Sequence, residues 1–124
     1  MTGTKTKGLR TYEDEVLSVL AFEFSVKAHA DSERKLKRRL REKKLGSYDE
    51  ERISSIREFK DDLQIELGKH NRSKFYTGPN GKYSDMSDWD VNGLLSHLKK
   101  KHPEVSDSAI ESFLPYAIYI YYLR

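Results

Sequence analysis

Apolar residues recur at three- and four-residue spacing over most of this chain, a period that predicts helices. Leu17, Leu20, Ala21, Phe24 and Ala28 make one such face, opened by Thr11 as N-cap with Asp14 as its capping-box partner. Ile53, Ile56, Phe59, Leu63 and Leu67 make a second, ending near Gly68. Val91, Leu94, Leu95 and Leu98 make a third, capped by Ser87 and Asp90 and stopped by Pro103. Ile110, Phe113, Leu114 and Ile118 make a fourth, opened by Ser106 or Ser108. Pro115 should bend it, because proline lacks the donor and clashes with the preceding turn.

Two stretches depart from this period. "FEFSVKAHA", residues 22–30, alternates apolar and polar positions as a strand does. Helix is favoured there because no turn residue precedes it. Glu13, Asp14 and Glu15 also lie at one end and a basic run at the other, as the helix dipole prefers. One helix from about 12 to 44 is unusually long, and Asp31 and Ser32, both N-cap types, mark where it would break. "KFYTGPNGKYS" reads as a small β-hairpin near 74–84 with Pro79-Asn80-Gly81 at its turn.

Between the first two helical regions, Gly46 suits a left-handed C′ position, and Ser47 with Glu50 suits a second capping box. So short a loop predicts an antiparallel pair. The fold class is therefore mainly α, with an N-terminal antiparallel helical hairpin over 11–70. A small β-hairpin and two C-terminal helices follow over 71–124. Residues 1–10 read as a flexible basic arm, and 11–124 as one helical domain.

Composition narrows the class. Charged residues reach 35% against 36% apolar, as wide solvated helix faces require, while five Phe, eight Tyr and one Trp are too many for a disordered chain. There is no cysteine, which excludes disulfides and thiolate chemistry. The N-terminus carries no apolar signal segment, and the longest apolar-rich run, "FLPYAIYIYYL", is shorter than the roughly 20 residues that a spanning helix needs. The expectation is a soluble cytoplasmic protein without membrane contact.

The net charge of +3 is unevenly placed. Residues 1–46 hold twelve Lys/Arg and seven Asp/Glu, residues 47–70 four and seven, and residues 71–124 seven and six. The excess lies in "SERKLKRRLREKK", where Arg34, Lys35, Lys37, Arg38, Arg39, Arg41, Lys43 and Lys44 surround Leu36 and Leu40. Cations spread around a helix can neutralise several phosphates or meet an acidic protein face. The competing account is internal: Asp49, Glu50, Glu51, Glu58, Asp61, Asp62 and Glu66 of the next helix could pair with part of the run. Such exposed pairs contribute only about 0–1 kcal/mol each.

Three weaker patterns follow. "LLSHLKKKHPEVSDSAIESFL" has a helix-turn-helix rhythm with a secondary basic patch at Lys99, Lys100 and Lys101, but acidic Asp107 and Glu111 on its reading helix repel phosphate. Asp88, Asp90, Asn92 and Gly93 fit a calcium loop until its twelfth position, where Lys99 replaces the bidentate Glu, so helix capping explains them better. His29, His70, His97 and His102 share no ligand spacing. Tyr116, Tyr119, Tyr121 and Tyr122 cannot all be buried by one helix face, which points to a protein interface.

No catalytic motif, cofactor site or small-molecule substrate emerges. The sequence reads as a non-enzymatic binding protein. Its primary expectation is a nucleic-acid-associated accessory or regulatory subunit, with self-association or docking in a larger complex through the aromatic tail. The alternative is a protein-interaction or assembly module, such as a viral part or an inhibitor of a nucleoprotein machine, with no nucleic-acid contact.

Overall fold

The computed structural model describes residues 11–79 and 81–123, so the basic arm expected over 1–10 lies outside it. Five α-helices run through the described residues: α1 (Tyr12–Leu20), α2 (His29–Glu42), α3 (Glu50–Gly68), α4 (Val91–Lys101) and α5 (Asp107–Ile118). No described helix is long and apolar enough to cross a membrane.

Helix α1 is short and central. Val16, Leu17, Leu20 and Ala21 are fully enclosed, and α2, α3 and α5 all pack on it. Seven of its nine residues are buried, the acidic Glu13 and Glu15 among them, so the helix lies in the core rather than on a surface. The capping box of Thr11 and Asp14 forms as the sequence predicts. The basic helix α2 and the acidic helix α3 each pack chiefly on α1, rather than on one another as the simple hairpin implied. Leu36 and Leu40 from α2 and the full Ile53–Leu67 stripe of α3 meet α1 in one apolar cluster.

The break between α1 and α2 is not at Asp31 and Ser32. It lies at 21–25, followed by a 3₁₀ turn at Val26–Ala28. The alternation of the sequence is not matched by burial: Glu23 is buried, while Phe22 and every residue from Phe24 to Lys27 are exposed. Phe24, assigned from its spacing to the buried face, is therefore outside, and Ala28 is half-buried. Ser32 stays inside α2, buried.

The α2–α3 turn also departs from expectation. Asp49, not Ser47, caps α3, accepting from the amides of Glu51 and Arg52. The left-handed C′ position is held by Lys44 at φ 55° rather than by Gly46, which is itself at φ 125°. The amide of Lys44 donates to Arg41 O at 3.2 Å and that of Leu45 to Leu40 O at 3.0 Å, the two bonds of a Schellman ending. A left-handed conformation costs a non-glycine residue about 1–2 kcal/mol, part of which glycine returns as unfolded-state entropy. Lys44→Gly should therefore stabilise the protein by about 0.5–1 kcal/mol, read as a higher urea midpoint at unchanged slope. A lower midpoint would show that the lysine side chain supports the turn.

The expected β-hairpin near 74–84 does not form. Among the described residues there is no strand, only an isolated bridge between Tyr76 and Trp89. The segment pairs forward, with Thr77 N donating to Asp88 O and Asp90 N to Phe75 O, both at 2.7 Å. Burial of Phe75 and Trp89 decides this, because pairing with 88–90 places both rings in the core. Helix α4 starts at Asp90, whose carboxylate accepts from Gly93 N at 3.1 Å. A side chain at Gly93 would collide with that carboxyl. Helix α5 starts at Ser106 and continues through Pro115 to Ile118, then widens into a π-helical turn at Tyr119–Leu123.

Candidate functional site

Seven of the eight cations in the basic run are exposed, and Arg39 is half-buried. Most have carboxylate partners, but not those of α3. Asp31 takes Arg34 at 2.7 Å and Lys35 at 3.3 Å, and Glu33 takes Lys37 at 2.7 Å. Arg38 reaches Glu42 only at 4.0 Å. The Lys35 hydrogen bond and charge hold the Asp31 carboxyl below its ordinary value, as those of Lys37 do for Glu33. These pairs lie one helical turn apart on an open surface, where water and salt screen them.

Glu15 of α1 is different. Its side chain is enclosed and meets Arg39 at 3.4 Å and Lys43 at 3.6 Å. These two cations anchor α2 to α1, and Arg39 also reaches the Ser18 hydroxyl at 3.5 Å. The run thus divides into tethered and presented cations. Among the described residues, Arg41 and Lys44 have no carboxylate partner.

Those two line a cleft of about 590 Å³ with Lys37, Leu40, Gly46, Ser47 and Tyr48. Tyr12 fixes its wall: its hydroxyl donates to Ser47 O at 3.0 Å and accepts from Asp49 N at 3.1 Å. The Arg52 guanidinium stacks at 4.0 Å on the same ring. Lys37 Nζ sits 5.4 Å from the Tyr48 ring centroid. The floor is apolar and the rim cationic, an arrangement that accepts a group with a flat apolar part beside an anionic part.

The secondary patch is mostly compensated. Lys99 pairs with Glu111 of α5, which raises the Lys99 pKa, and Lys101 meets Asp62 at 3.1 Å. Only Lys100 of the three lacks a carboxylate partner among the described residues. Asp62 also accepts from the buried His102 at 2.7 Å. Burial pushes the Asp62 carboxyl up, but Lys101 and His102 together hold it below its usual value. Helix α5 is built into the core by Ala109, Ile110, Phe113 and Leu114, and its exposed first turn is acidic, so it is poorly suited to reading DNA. Asp90 caps α4, Asp88 accepts from the Asp85 amide in the capping box of a 3₁₀ turn at Met86–Asp88, and the described residues contain no cluster of three potential metal ligands.

The four tyrosines separate by burial. Tyr116 and Tyr119 are exposed. Tyr121 donates to Ala21 O at 2.6 Å and Tyr122 to Asp88 Oδ2 at 2.7 Å. Burial raises both phenols, with the Asp88 hydrogen bond adding to the shift at Tyr122. Tyr122 also packs edge-on against Trp89, and both it and Tyr76 stack with His70, a left-handed residue at φ 54°. These two tyrosines hold the tail down, a role that spacing alone could not assign.

Two groups escape a reading by periodicity. Phe22 meets Tyr116 edge-on at 6.4 Å, so the exposed aromatics of the α1–α2 link and of α5 form a continuous surface. Beneath it, Glu23 receives Arg57 Nε at 2.8 Å and Nη2 at 3.0 Å, with His29 at 3.4 Å. Lys60, only 1% exposed, donates to Glu23 O at 2.8 Å and pairs with Asp61 at 2.7 Å. The alternation of 22–26 carries no signal of this, because Glu23 alone of those residues is buried. Comparison of the chain with protein-family models, curated proteins and solved structures finds no match.

Proposed function

We propose that this protein is a small non-enzymatic binding protein, a nucleic-acid-associated accessory or regulatory subunit that presents α2 and its following turn to phosphate. The observation that carries this reading is the pair Arg41 and Lys44, without carboxylate partners among the described residues, in a segment, 29–44, that holds eight cations and three carboxylates. Presented cations release counterions from a polyanion, whereas tethered ones mainly hold the fold. A second reading, a protein-interaction module without nucleic acid, is favoured by the exposed Phe22, Phe24, Val26, Tyr116 and Tyr119. Aromatics are enriched at interfaces because their large apolar faces lose water on contact.

The test is a salt series on binding to a DNA duplex and to heparin. Replacing Arg41 and Lys44 together by Gln should lower the slope of log K against log salt by about two, one for each phosphate that the variant no longer neutralises. Neither substitution removes an ion pair among the described residues, so fluorescence of the single Trp89 should be unchanged. Arg39 is unsuitable for this purpose, since its replacement would strip a partner from buried Glu15. Absence of binding by the parent to either polyanion at low salt would discard the reading and leave the interaction module.

A further inference from the structure

We infer that the cleft beside the α2–α3 turn seats one unstacked nucleotide of a single-stranded nucleic acid. Its base would lie against the Tyr48 ring and its phosphate between Arg41 and Lys44. This rests on the polyanion reading above and sharpens it from a charged face to a site with a preferred ligand.

Four observations converge. The two cations of the basic run that have no carboxylate partner among the described residues line the same cleft. Next to them, the amides of Gly46 and Ser47 and the Ser47 hydroxyl make no hydrogen bond as donors among the described residues. A phosphate offers several acceptor oxygens and can use amides, a hydroxyl and cations at once.

The floor argues for more than phosphate. Leu40 and Tyr48 bring an apolar surface and an aromatic face to a cleft of about 590 Å³, a volume within the range of small-molecule sites. The Lys37 ammonium lies over the Tyr48 ring, 5.4 Å from its centroid, and is also paired with Glu33 at 2.7 Å, so a base reaches that face by displacing the ammonium toward Glu33. A duplex presents phosphates while its bases stay stacked within the helix, so it leaves this floor unused. A single strand presents both parts, and base stacking on an aromatic ring tolerates any sequence.

The backbone supplies the fourth observation. Lys44 is held left-handed, where glycine is the ordinary choice, and this conformation sets its side chain at the cleft. Strain retained at a solvated turn is common where a side chain must be placed for binding. The Tyr12 hydroxyl, bonded to both Ser47 O and Asp49 N, keeps the turn in one shape before any ligand arrives. A prearranged site loses less freedom on binding.

The experiment compares a fluorescein-labelled oligothymidylate, the corresponding duplex and heparin as ligands of the full chain. The single strand should bind more tightly than the duplex at equal salt. Tyr48→Leu keeps apolar packing but removes the ring, and should weaken single-strand binding about tenfold. It should leave heparin binding within about twofold, since heparin has no base to stack. Tyr48→Phe should bind the single strand as the parent does. Duplex preference, or a Tyr48→Leu variant equal to the parent toward all three ligands, would overturn the nucleotide site while leaving the polyanion reading in place. Binding of an acidic aromatic peptide with no oligothymidylate binding would overturn it in favour of a protein ligand. Failure to bind any of the three polyanions would remove both readings.

Discussion

Ending the chain after Glu111 will leave an unfolded or insoluble protein. The deleted residues include Phe113, Leu114, Ala117 and Ile118, all buried in the common core. Removing one large core side chain costs about 2–5 kcal/mol, and several together exceed the roughly 5–15 kcal/mol that keeps a typical domain folded. The deletion also takes Tyr121 and Tyr122 from Ala21 O and Asp88, leaving polar groups that were placed to meet them. Helix α1, on which α2 and α3 pack, would lose the α5 face that covers it. Far-UV circular dichroism and Trp89 emission should both show loss of structure. A truncated chain with a cooperative urea transition near that of the parent would mean that the N-terminal helices fold without α5.

Glu23→Ala should lower stability by about 3 kcal/mol, the largest effect expected from a single substitution in the polar network. It removes the bidentate acceptor of Arg57, whose side chain is 14% exposed, and leaves that cation poorly compensated. Breaking a buried pair from one side costs about 3–5 kcal/mol, and residual water access to Arg57 favours the lower end. The Lys60 contact survives in part because it is made to the backbone carbonyl. A urea midpoint shift equivalent to less than about 1 kcal/mol would show that water replaces the carboxylate.

The same residue gives a pH signature. Burial alone would raise the Glu23 carboxyl, but hydrogen bonds from Arg57 and Ser32 and the charges of Arg57 and His29 set it below its ordinary 4.5. Asp62 is likewise held below 3.8. Folded-state values lower than unfolded ones mean that the stabilisation is complete above about 4.5 and disappears as pH falls through the depressed values. The parent should therefore weaken in that acid range, and Glu23→Ala should weaken less steeply there.

Much of the fold was legible in the sequence. The stripes Ile53–Leu67 and Ile110–Ile118 are buried as their spacing implies, and Thr11, Asp90 and Ser106 cap the helices they precede. Helix period and caps are local properties, set by about 3.6 residues per turn and by amides that need acceptors within a few positions. The exposed basic face of α2 follows from the same logic, since Leu36 and Leu40 commit only one side inward.

What tertiary structure decided was the fate of residues whose local pattern allowed two outcomes. Alternation in 22–26 cannot say which side is inside, and the choice fell to Glu23 because Arg57 and Lys60 wait beneath it on α3, 34 and 37 residues away. The segment at 74–84 has a turn sequence, but its backbone bonds go to 88–90, where Phe75 and Trp89 can be buried together. The basic run is uniform in sequence, yet the buried Glu15 claims Arg39 and Lys43 and so separates them from Arg41 and Lys44. The wall of the cleft is tied down by the Tyr12 hydroxyl, which bonds to Ser47 O 35 residues later. Each of these depends on contacts distant in sequence, which no local period or charge count can encode.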